Sequence, residues 1–199
     1  MMKENLINYL KNQEFPDSII NAFKVIDRRY YVPEEFESQA YANIALPIGY
    51  GQTISQPYTI AFMLMLLELK DNIKILEVGS GSGYVLDLIN NISKNSQIYG
   101  IERIKDLVDK SKKVLKSKSN INIIFGDGSK GLIDDAPFDR ILVSASSDKI
   151  PQKILDQLTF GGILVIPVKD KIVVVKKNYR ENVVKEYSGF VFVPLIDSN

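Results

Sequence analysis

The fold of this chain is decided by one stretch, Lys74-Ile75-Leu76-Glu77-Val78-Gly79-Ser80-Gly81-Ser82-Gly83-Tyr84. Its apolar, β-branched part predicts a buried parallel strand over residues 73–78, which the first glycine closes. Three glycines at alternate positions allow a sharp turn and let a ligand approach the backbone closely. We expect a helix from about Tyr84 to Ile92 to follow, with its N-terminal amides facing the crevice beyond the strand.

The spacing of these glycines separates kinds of nucleotide site. A dinucleotide fingerprint reads G-x-G-x-x-G, whereas here the third glycine comes one residue early and Glu77 lies two residues before the first. The E-x-G-x-G-x-G pattern resembles motif I of methyltransferases that use S-adenosylmethionine (AdoMet). That resemblance implies that the acid and the glycines surround the amino-acid end of the cofactor. A glycine turn without a ligand remains the alternative for this stretch taken alone.

The composition limits the chemistry and the partners. A chain of 199 residues with 45% hydrophobic residues suits one domain, 1–199, with a sizeable core. Lys+Arg 25 against Asp+Glu 24 leaves almost no net charge, so no nucleic-acid partner is expected. Cysteine and histidine are both absent from the sequence, which excludes disulfides and thiolate zinc sites. We expect no metal, and a chemistry that uses carboxylates, hydroxyls, amides and backbone groups.

The apolar segments are too short to indicate a membrane protein. Residues 58–69 are apolar but do not reach the length of a bilayer span. Residues 1–5 lack the long apolar run of a signal peptide. The expectation is a cytoplasmic protein without a membrane partner, and a monomer.

The first 58 residues combine helices with an unusual loop. Apolar stripes predict helices over residues 4–12 and 17–27, and the aromatic and basic connector 27–33 is expected to pack on the core. Residues 40–58 form a long loop that is too apolar for a disordered linker, which favours a functional role. A helix should follow from about Pro57 to Leu69, with Ser55 as its possible N-cap.

The rest of the chain, residues 59–199, alternates strands and helices. This alternation predicts a parallel sheet with helices on both faces, and the last two strands predict a closing antiparallel hairpin. The fold class is therefore α/β: a doubly wound, mostly parallel, seven-stranded sheet with an N-terminal helical extension. Beyond the segments already named, the predicted strands are 97–102, 121–125, 138–144, 162–168, 171–176 and 183–194, and the predicted helices are 103–115 and 151–158.

Three acids stand at the ends of three consecutive strands. Glu77 ends the first strand, Glu102 ends the second about 20 residues past the glycines, and Asp127 follows the third between two glycines. Glu102 could accept hydrogen bonds from ribose hydroxyls, and Asp127 could accept one from an adenine amino group. Each also has a structural alternative, since Glu102 could cap the next helix and Asp127 could fill a turn.

The loop Leu46-Pro47-Ile48-Gly49-Tyr50-Gly51-Gln52-Thr53-Ile54-Ser55-Gln56-Pro57-Tyr58 makes the resemblance specific. It is similar to the signature of the protein-L-isoaspartate O-methyltransferase family, and the likeness extends over nearly the whole chain. Other segments agree in order and spacing: 29–33, 77–84, 100–103, 126–128, 136–139, 150–151, 157–158, 161–168 and 192–195.

The resemblance implies a fold, an activity and a site. The fold would be the Rossmann-like one of class I methyltransferases. The activity would be methyl transfer from AdoMet, leaving S-adenosyl-L-homocysteine, to the carboxylate of L-isoaspartyl residues in damaged peptides and proteins. This initiates repair through a succinimide. Ser55 corresponds to the family's active-site serine. The residues that correspond to its cofactor site are Gln52, Thr53, Ile54, Glu77, Gly79, Ser80, Gly81, Ser82, Glu102, Arg103, Asp127 and Gly128.

This reaction is compatible with a chain that lacks histidine. A carboxylate is already a nucleophile at neutral pH, so catalysis can consist of placing its oxygen in line with the methyl group. Our hypothesis is that the Ser55 hydroxyl donates a hydrogen bond that orients the carboxylate.

Two segments depart from the family pattern, and other functions remain open. Residues 144–148 read Ser-Ala-Ser-Ser-Asp where the family has small apolar residues, and Lys169-Asp170 stands where it continues Val-Gly. The alternatives are a methyltransferase for a small molecule or another acceptor such as an RNA base, a catalytically silent AdoMet-binding module, and a nicotinamide enzyme. The early third glycine disfavours the last of these.

Overall fold

The computed structural model describes residues 2–196, so the predicted domain 1–199 extends beyond the described residues at both ends. Its helices are α1 (Lys3–Lys11), α2 (Asp17–Val25), α3 (Pro57–Leu66), α4 (Tyr84–Ile92), α5 (Lys105–Val114) and α6 (Gln152–Asp156). Its strands are β1 (Leu46–Gly49), β2 (Gln52–Ile54), β3 (Lys74–Val78), β4 (Gln97–Glu102), β5 (Ile121–Phe125), β6 (Phe138–Val143), β7 (Leu158–Val168), β8 (Lys171–Lys176) and β9 (Val183–Ser188). Short 3-10 turns cover Arg28–Tyr31 and Glu34–Gln39.

Seven strands form one sheet in the order β5-β4-β3-β6-β7-β8-β9. Strands β3 to β7 are parallel, and β8 and β9 close the sheet as an antiparallel hairpin. The chain builds outward from β3 to β5 and then returns to place β6 on the other side of β3. The strand order therefore reverses between β3 and β6, which is where ligands bind in open α/β sheets.

The core lies on both faces of this sheet. Alternate residues of β7 point to opposite faces, so Ile163 and Val165 belong to one apolar cluster and Leu164 and Ile166 to the other. Helices α1 to α5 contribute buried residues to the first cluster, and α6 contributes to the second. The predicted doubly wound architecture is confirmed. Within residues 2–196, no helix has the length and hydrophobicity of a transmembrane span.

Residues 40–58, predicted to be a loop, contain the antiparallel hairpin β1–β2. Leu46 pairs with Ile54 and Gly49 pairs with Gln52, and the hairpin forms a two-stranded sheet of its own. Gly49, Tyr50 and Gly51 all have positive φ angles, of 96°, 57° and 70°. This left-handed backbone makes the tight reversal, and two of its three positions are glycines, which adopt it without strain.

The boundaries of two predicted strands were wrong. Strand β7 begins at Leu158, before the predicted start at residue 162, and its pairing with β6 has an irregularity between Phe138 and Arg140. Strand β9 ends at Ser188 and does not continue to residue 194. Gly189 has a φ angle of 95°, and its N–H bonds to the Asp170 carbonyl, so the chain turns away from the sheet edge there.

Candidate active site

A cavity lies beyond the carboxyl ends of β3, β4 and β6, at the reversal point of the sheet. The glycine loop after β3, the hairpin β1–β2 and helix α3 all contribute residues to its wall. Twelve of the thirteen residues predicted for the site line this cavity: Gln52, Thr53, Ile54, Ser55, Glu77, Gly79, Ser80, Gly81, Ser82, Glu102, Arg103 and Gly128.

Asp127 is the predicted site residue that does not contribute to the cavity wall. It precedes Gly128, which does, and its Oδ1 accepts a hydrogen bond from the Ser129 N–H at 2.9 Å. The side chain thus caps a short 3-10 turn over Gly128–Lys130, as the structural alternative anticipated. A contact of Asp127 with an adenine amino group stays a prediction.

Glu77 is the most deeply buried acid of the site, with 1% of its surface exposed. Its Oε1 accepts a hydrogen bond from the Ser144 hydroxyl at 2.8 Å, whereas its Oε2 has no hydrogen-bond partner among the described residues. Burial raises the pKa of Glu77 to about 8; the Ser144 hydrogen bond lowers this pKa and the nearby Glu102 carboxylate raises it. The site therefore holds a buried carboxyl oxygen that a cationic ligand would satisfy.

Glu102 ties the glycine loop to the beginning of α5. Its Oε2 accepts a hydrogen bond from the Gly81 N–H and its Oε1 accepts one from the Ile104 N–H, both at 2.9 Å. Ile104 is the N-cap residue of α5, so the helix-capping alternative for Glu102 also holds. The same carboxylate lies in the cavity wall, where it remains within reach of a ligand's hydroxyl groups.

The hairpin covers the glycine loop. A Cβ atom added to Gly81 would lie 3.1 Å from Ile48 Cδ1, so the absence of a side chain at Gly81 lets β1 approach closely. Strand β2 and the residue after it then carry Gln52, Thr53, Ile54 and Ser55 to the cavity. The N-cap of α3 is Gln56, with no side-chain capping bond, so Ser55 does not have the capping role considered for it.

A second cavity adjoins the first and shares part of its wall. Thr53, Ser55 and Ser144 line both cavities, which places Ser55 at their junction. The described residues that line the second cavity carry no charged side chain. They are Ala45, Thr53, Ser55, Gln56, Thr59, Ser144, Gly189, Phe190, Val191, Phe192 and Val193.

Ser144 and the segment 192–196 also line the first cavity, but neither was among the predicted site residues. This segment lies against the end of β6, where the Ser146 N–H donates to the Val193 carbonyl at 2.7 Å and the Leu195 N–H donates to the Ser146 carbonyl at 2.6 Å. Residues 192–196 thereby line the first cavity. Ser144 follows β6 directly, so the strand-end rule that selected Glu77 and Glu102 could have found it.

The connector 27–33 packs against this region, as predicted. Arg28 is 1% exposed, and its guanidinium carbon lies 5.6 Å from the ring centre of Tyr84, which lines the first cavity. Arg28 Nη2 donates to the Ile44 carbonyl at 3.2 Å, and burial lowers the pKa of Arg28 to about 10. The N-terminal extension thus supports both the hairpin region and the start of α4.

Comparison with known proteins identifies relatives along the whole chain. The family model described as protein-L-isoaspartate(D-aspartate) O-methyltransferase (PCMT) matches residues 1–199. A protein-L-isoaspartate O-methyltransferase from Methanococcoides burtonii is 40% identical over 198 residues, which cover 96% of this chain and 98% of the relative. A protein of the same name from Thermosipho melanesiensis is 44% identical over 181 residues, 88% of this chain and 90% of the relative.

A solved structure agrees with these relatives. It is the crystal structure of a Plasmodium falciparum protein described as a protein-L-isoaspartate O-methyltransferase, in complex with S-adenosyl-L-homocysteine. It superimposes on this chain with a TM-score of 0.84 at 27% sequence identity, and the match covers 96% of this chain and 97% of the other.

Proposed function

We infer that this chain, which belongs to the protein-L-isoaspartate(D-aspartate) O-methyltransferase family, uses its two adjoining cavities for AdoMet and for an isoaspartyl peptide. The enzyme transfers the methyl group of AdoMet to the carboxylate of L-isoaspartyl residues in damaged proteins, which initiates their repair through a succinimide. The observation that carries the assignment of the two cavities is the position of Ser55 at their junction.

The first cavity suits AdoMet on the chemistry of its lining. The unpartnered Oε2 of Glu77 is a buried acceptor next to the glycine loop, and AdoMet carries an ammonium group that can pair with it. Glu102, at the end of the next strand, offers a carboxylate for ribose hydroxyls. We assign the eleven predicted cofactor residues that line this cavity, with Asp127 behind Gly128, to cofactor binding, and keep Ser55 for the acceptor.

The second cavity suits a carboxylate that must remain reactive. AdoMet, when bound, supplies a methyl group on a sulfonium; the carboxylate oxygen forms the new C–O bond as the S–CH3 bond breaks, with no proton transfer. The neutral lining leaves this carboxylate without an ion pair that would lower its nucleophilicity. Ser55 Oγ donates a hydrogen bond to one carboxylate oxygen and thereby aims the other toward the first cavity.

The substitution Ser55→Ala tests this role. We expect turnover on an L-isoaspartyl peptide to fall about 10- to 100-fold, since the acceptor is then poorly oriented. The AdoMet dissociation constant should stay within about twofold, because the cofactor contacts persist. The measurement is base-labile label from methyl-labelled AdoMet on paired peptides that carry L-isoaspartate or L-aspartate at one position.

The control for this experiment is Ser147→Ala. The Ser147 hydroxyl donates to the Lys149 carbonyl and does not line either cavity. Unchanged turnover in Ser55→Ala would remove Ser55 from the mechanism. Equal label on both peptides would contradict the assignment of the acceptor.

We also propose the partners, the cellular location and the oligomeric state of the enzyme. Its partners are isoaspartyl peptides and proteins, and we place it in the cytoplasm as a monomer that binds neither nucleic acid nor membranes. A formal net charge of +1 supports the absence of a polyanionic partner. Sedimentation equilibrium of the full chain tests the monomer, and a stable dimer at micromolar concentration would contradict it.

A further inference from the structure

Ser144 lies between the two cavities and donates a hydrogen bond to Glu77, the buried acid of the first cavity. Its hydroxyl donates to Glu77 Oε1 at 2.8 Å, and its side chain contributes to the walls of both cavities. No other described residue donates a hydrogen bond to the Glu77 carboxyl group, whose second oxygen is buried without a partner. The orientation of this carboxyl group therefore depends on one hydroxyl.

The backbone fixes the position of that hydroxyl. The Ser144 N–H donates to the Val78 carbonyl at 2.8 Å, which continues the pairing of β6 with β3 by one residue. Glu77 pairs with Leu142, and Ser144, two residues later, lies on the same face of the sheet. Ser144 and Glu77 are thus neighbours on one face of two central strands, where the sheet permits little movement.

We propose that Ser144 is a positioning residue for the cofactor, because its hydroxyl holds the Glu77 carboxyl group turned so that Oε2 receives the ammonium group of AdoMet. This proposal rests on the cofactor assignment given above. In this geometry one carboxyl oxygen is occupied by Ser144, and the other is left for the ligand. Without the hydroxyl, both buried oxygens would lack a donor, no hydrogen bond would orient the carboxyl group, and it would hold its proton more tightly.

The other ionisable groups around Glu77 do not replace this hydroxyl. The titratable or charged side chains that share its cavity are Glu102 and Arg103 at the end of β4, and Tyr84 at the start of α4. Glu102 raises the pKa of Glu77 and so favours the protonated form. Neither Arg103 nor Tyr84 has a hydrogen bond to Glu77 among the contacts of the described residues.

The test compares two ligands that differ at the amino-acid end. AdoMet carries the ammonium group on an aminocarboxypropyl chain attached to its sulfonium sulfur, whereas 5′-methylthioadenosine keeps the adenosine and the S-methyl group, as a neutral thioether, and lacks that chain. Calorimetric titration of Ser144→Ala should show AdoMet bound about tenfold more weakly, and methylthioadenosine within twofold of the wild type. A substitution that merely disturbed the cavity would weaken both ligands alike, and that result would overturn the proposal.

A matched pair of variants separates shape from hydrogen bonding. Ser144→Thr and Ser144→Val place side chains of the same shape at this position, but only threonine keeps the hydroxyl. Ser144→Thr should retain the wild-type ratio of AdoMet affinity to methylthioadenosine affinity. Ser144→Val should show the same selective loss of AdoMet affinity as Ser144→Ala. Equal behaviour of the two variants would overturn the proposal even if both bind weakly.

The pH dependence of binding gives a second readout. In the wild type, AdoMet affinity should rise as the pH approaches about 8, because Glu77 must lose its proton to pair with the ammonium group. In Ser144→Ala, which lacks the hydrogen bond that favours the ionised form, AdoMet affinity at pH 6 to 7 should fall further below its value at pH 8 than in the wild type. Superimposable profiles would contradict the proposal, whereas a wild type that binds no AdoMet would instead refute the cofactor assignment.

Discussion

The Tyr50 hydroxyl donates a hydrogen bond to Asp106 Oδ2, and this bond joins the tip of the hairpin β1–β2 to the first turn of α5. The hairpin pairs with no strand of the main sheet, and it carries residues 52–54 and the adjoining Ser55 to the cavity. Gln52 beyond the tip and Arg103 before α5 both line the first cavity. The Tyr50–Asp106 bond therefore joins two elements whose neighbouring residues line this cavity.

Replacing Tyr50 with phenylalanine should accelerate release of the cofactor. The variant keeps the ring and loses only the hydrogen bond to Asp106, which holds the tip in place. We expect the dissociation rate of S-adenosyl-L-homocysteine to rise about 3- to 10-fold, as measured by stopped-flow displacement. Tyr30→Phe is the control, since Tyr30 is 71% exposed and lies outside the cavity. An unchanged dissociation rate in Tyr50→Phe would show that the hairpin tip does not control release.

The Glu77 carboxyl group should make the cofactor-free enzyme less stable as the pH rises. Its pKa is raised from 4.5 to about 8 in the folded chain, so the folded state keeps a proton that the unfolded state loses. The stability from this neutral form is present in full below pH 4.5, and is lost as the pH rises toward and through 8. Glu77→Gln, neutral at every pH, should not show this loss.

Thermal melts from pH 4.5 to 9 without AdoMet test this linkage. The melting temperature of the wild type relative to Glu77→Gln should fall by about 5 °C or more across this range. Glu35→Gln removes an exposed acid and should run parallel to the wild type. A constant difference between the wild type and Glu77→Gln would mean that Glu77 titrates alike in both states.

The buried pair of Tyr31 and Asp87 should contribute to stability. The Tyr31 hydroxyl donates to Asp87 Oδ2 at 2.6 Å, and burial, first among several causes, raises the pKa of Tyr31 above its usual range. Tyr31→Phe would leave this buried carboxylate oxygen without its donor, at a cost of about 2 kcal/mol. We expect the melting temperature to fall by about 4–8 °C in calorimetry.

Two variants control this result. Tyr179→Phe changes a tyrosine that is 84% exposed and should leave the melting temperature unchanged. Adding Asp87→Leu to Tyr31→Phe replaces both polar partners with apolar groups and should recover part of the loss. A double variant less stable than the sum of the two single changes would argue against a simple donor–acceptor pair.

Gly100 in the middle of β4 should be intolerant of a side chain because of its neighbours. A Cβ atom there would lie 2.7 Å from Leu86 Cδ1 and 3.0 Å from Ser80 Cβ, and Ser80 belongs to the glycine loop. Gly100→Ala should therefore displace the loop, lower stability by about 1–3 kcal/mol and weaken AdoMet binding about fivefold or more. Gly126→Ala, whose nearest neighbour would be Ile101 Cδ1 at 3.3 Å, should be milder in both titration and thermal melts. Equal effects of the two would contradict this steric explanation.

The order and type of the main elements were predictable because their signals are local. Short apolar runs predicted the strands from β3 to β6, apolar stripes predicted α1, α2 and α5, and the glycine loop predicted that α4 would follow it. The errors concern places where backbone geometry depends on distant partners. The early start of β7 depends on its irregular pairing with β6, and the end of β9 on the bonds from residues 189 and 190 to Asp170.

The strand, glycine loop and helix around the first cavity follow from the sequence alone, as does the family signature that carries Ser55. Their chemistry is written in consecutive residues, and parallel strands bring their carboxyl ends to one edge of the sheet. The tertiary fold, in contrast, sets which distant groups meet there. It placed Ser144 on Glu77, 67 residues away, and Tyr50 on Asp106, 56 residues away. Residues 192–196 joined the cavity wall in the same way. Such contacts follow from the packing of whole elements, which no local pattern of residues encodes.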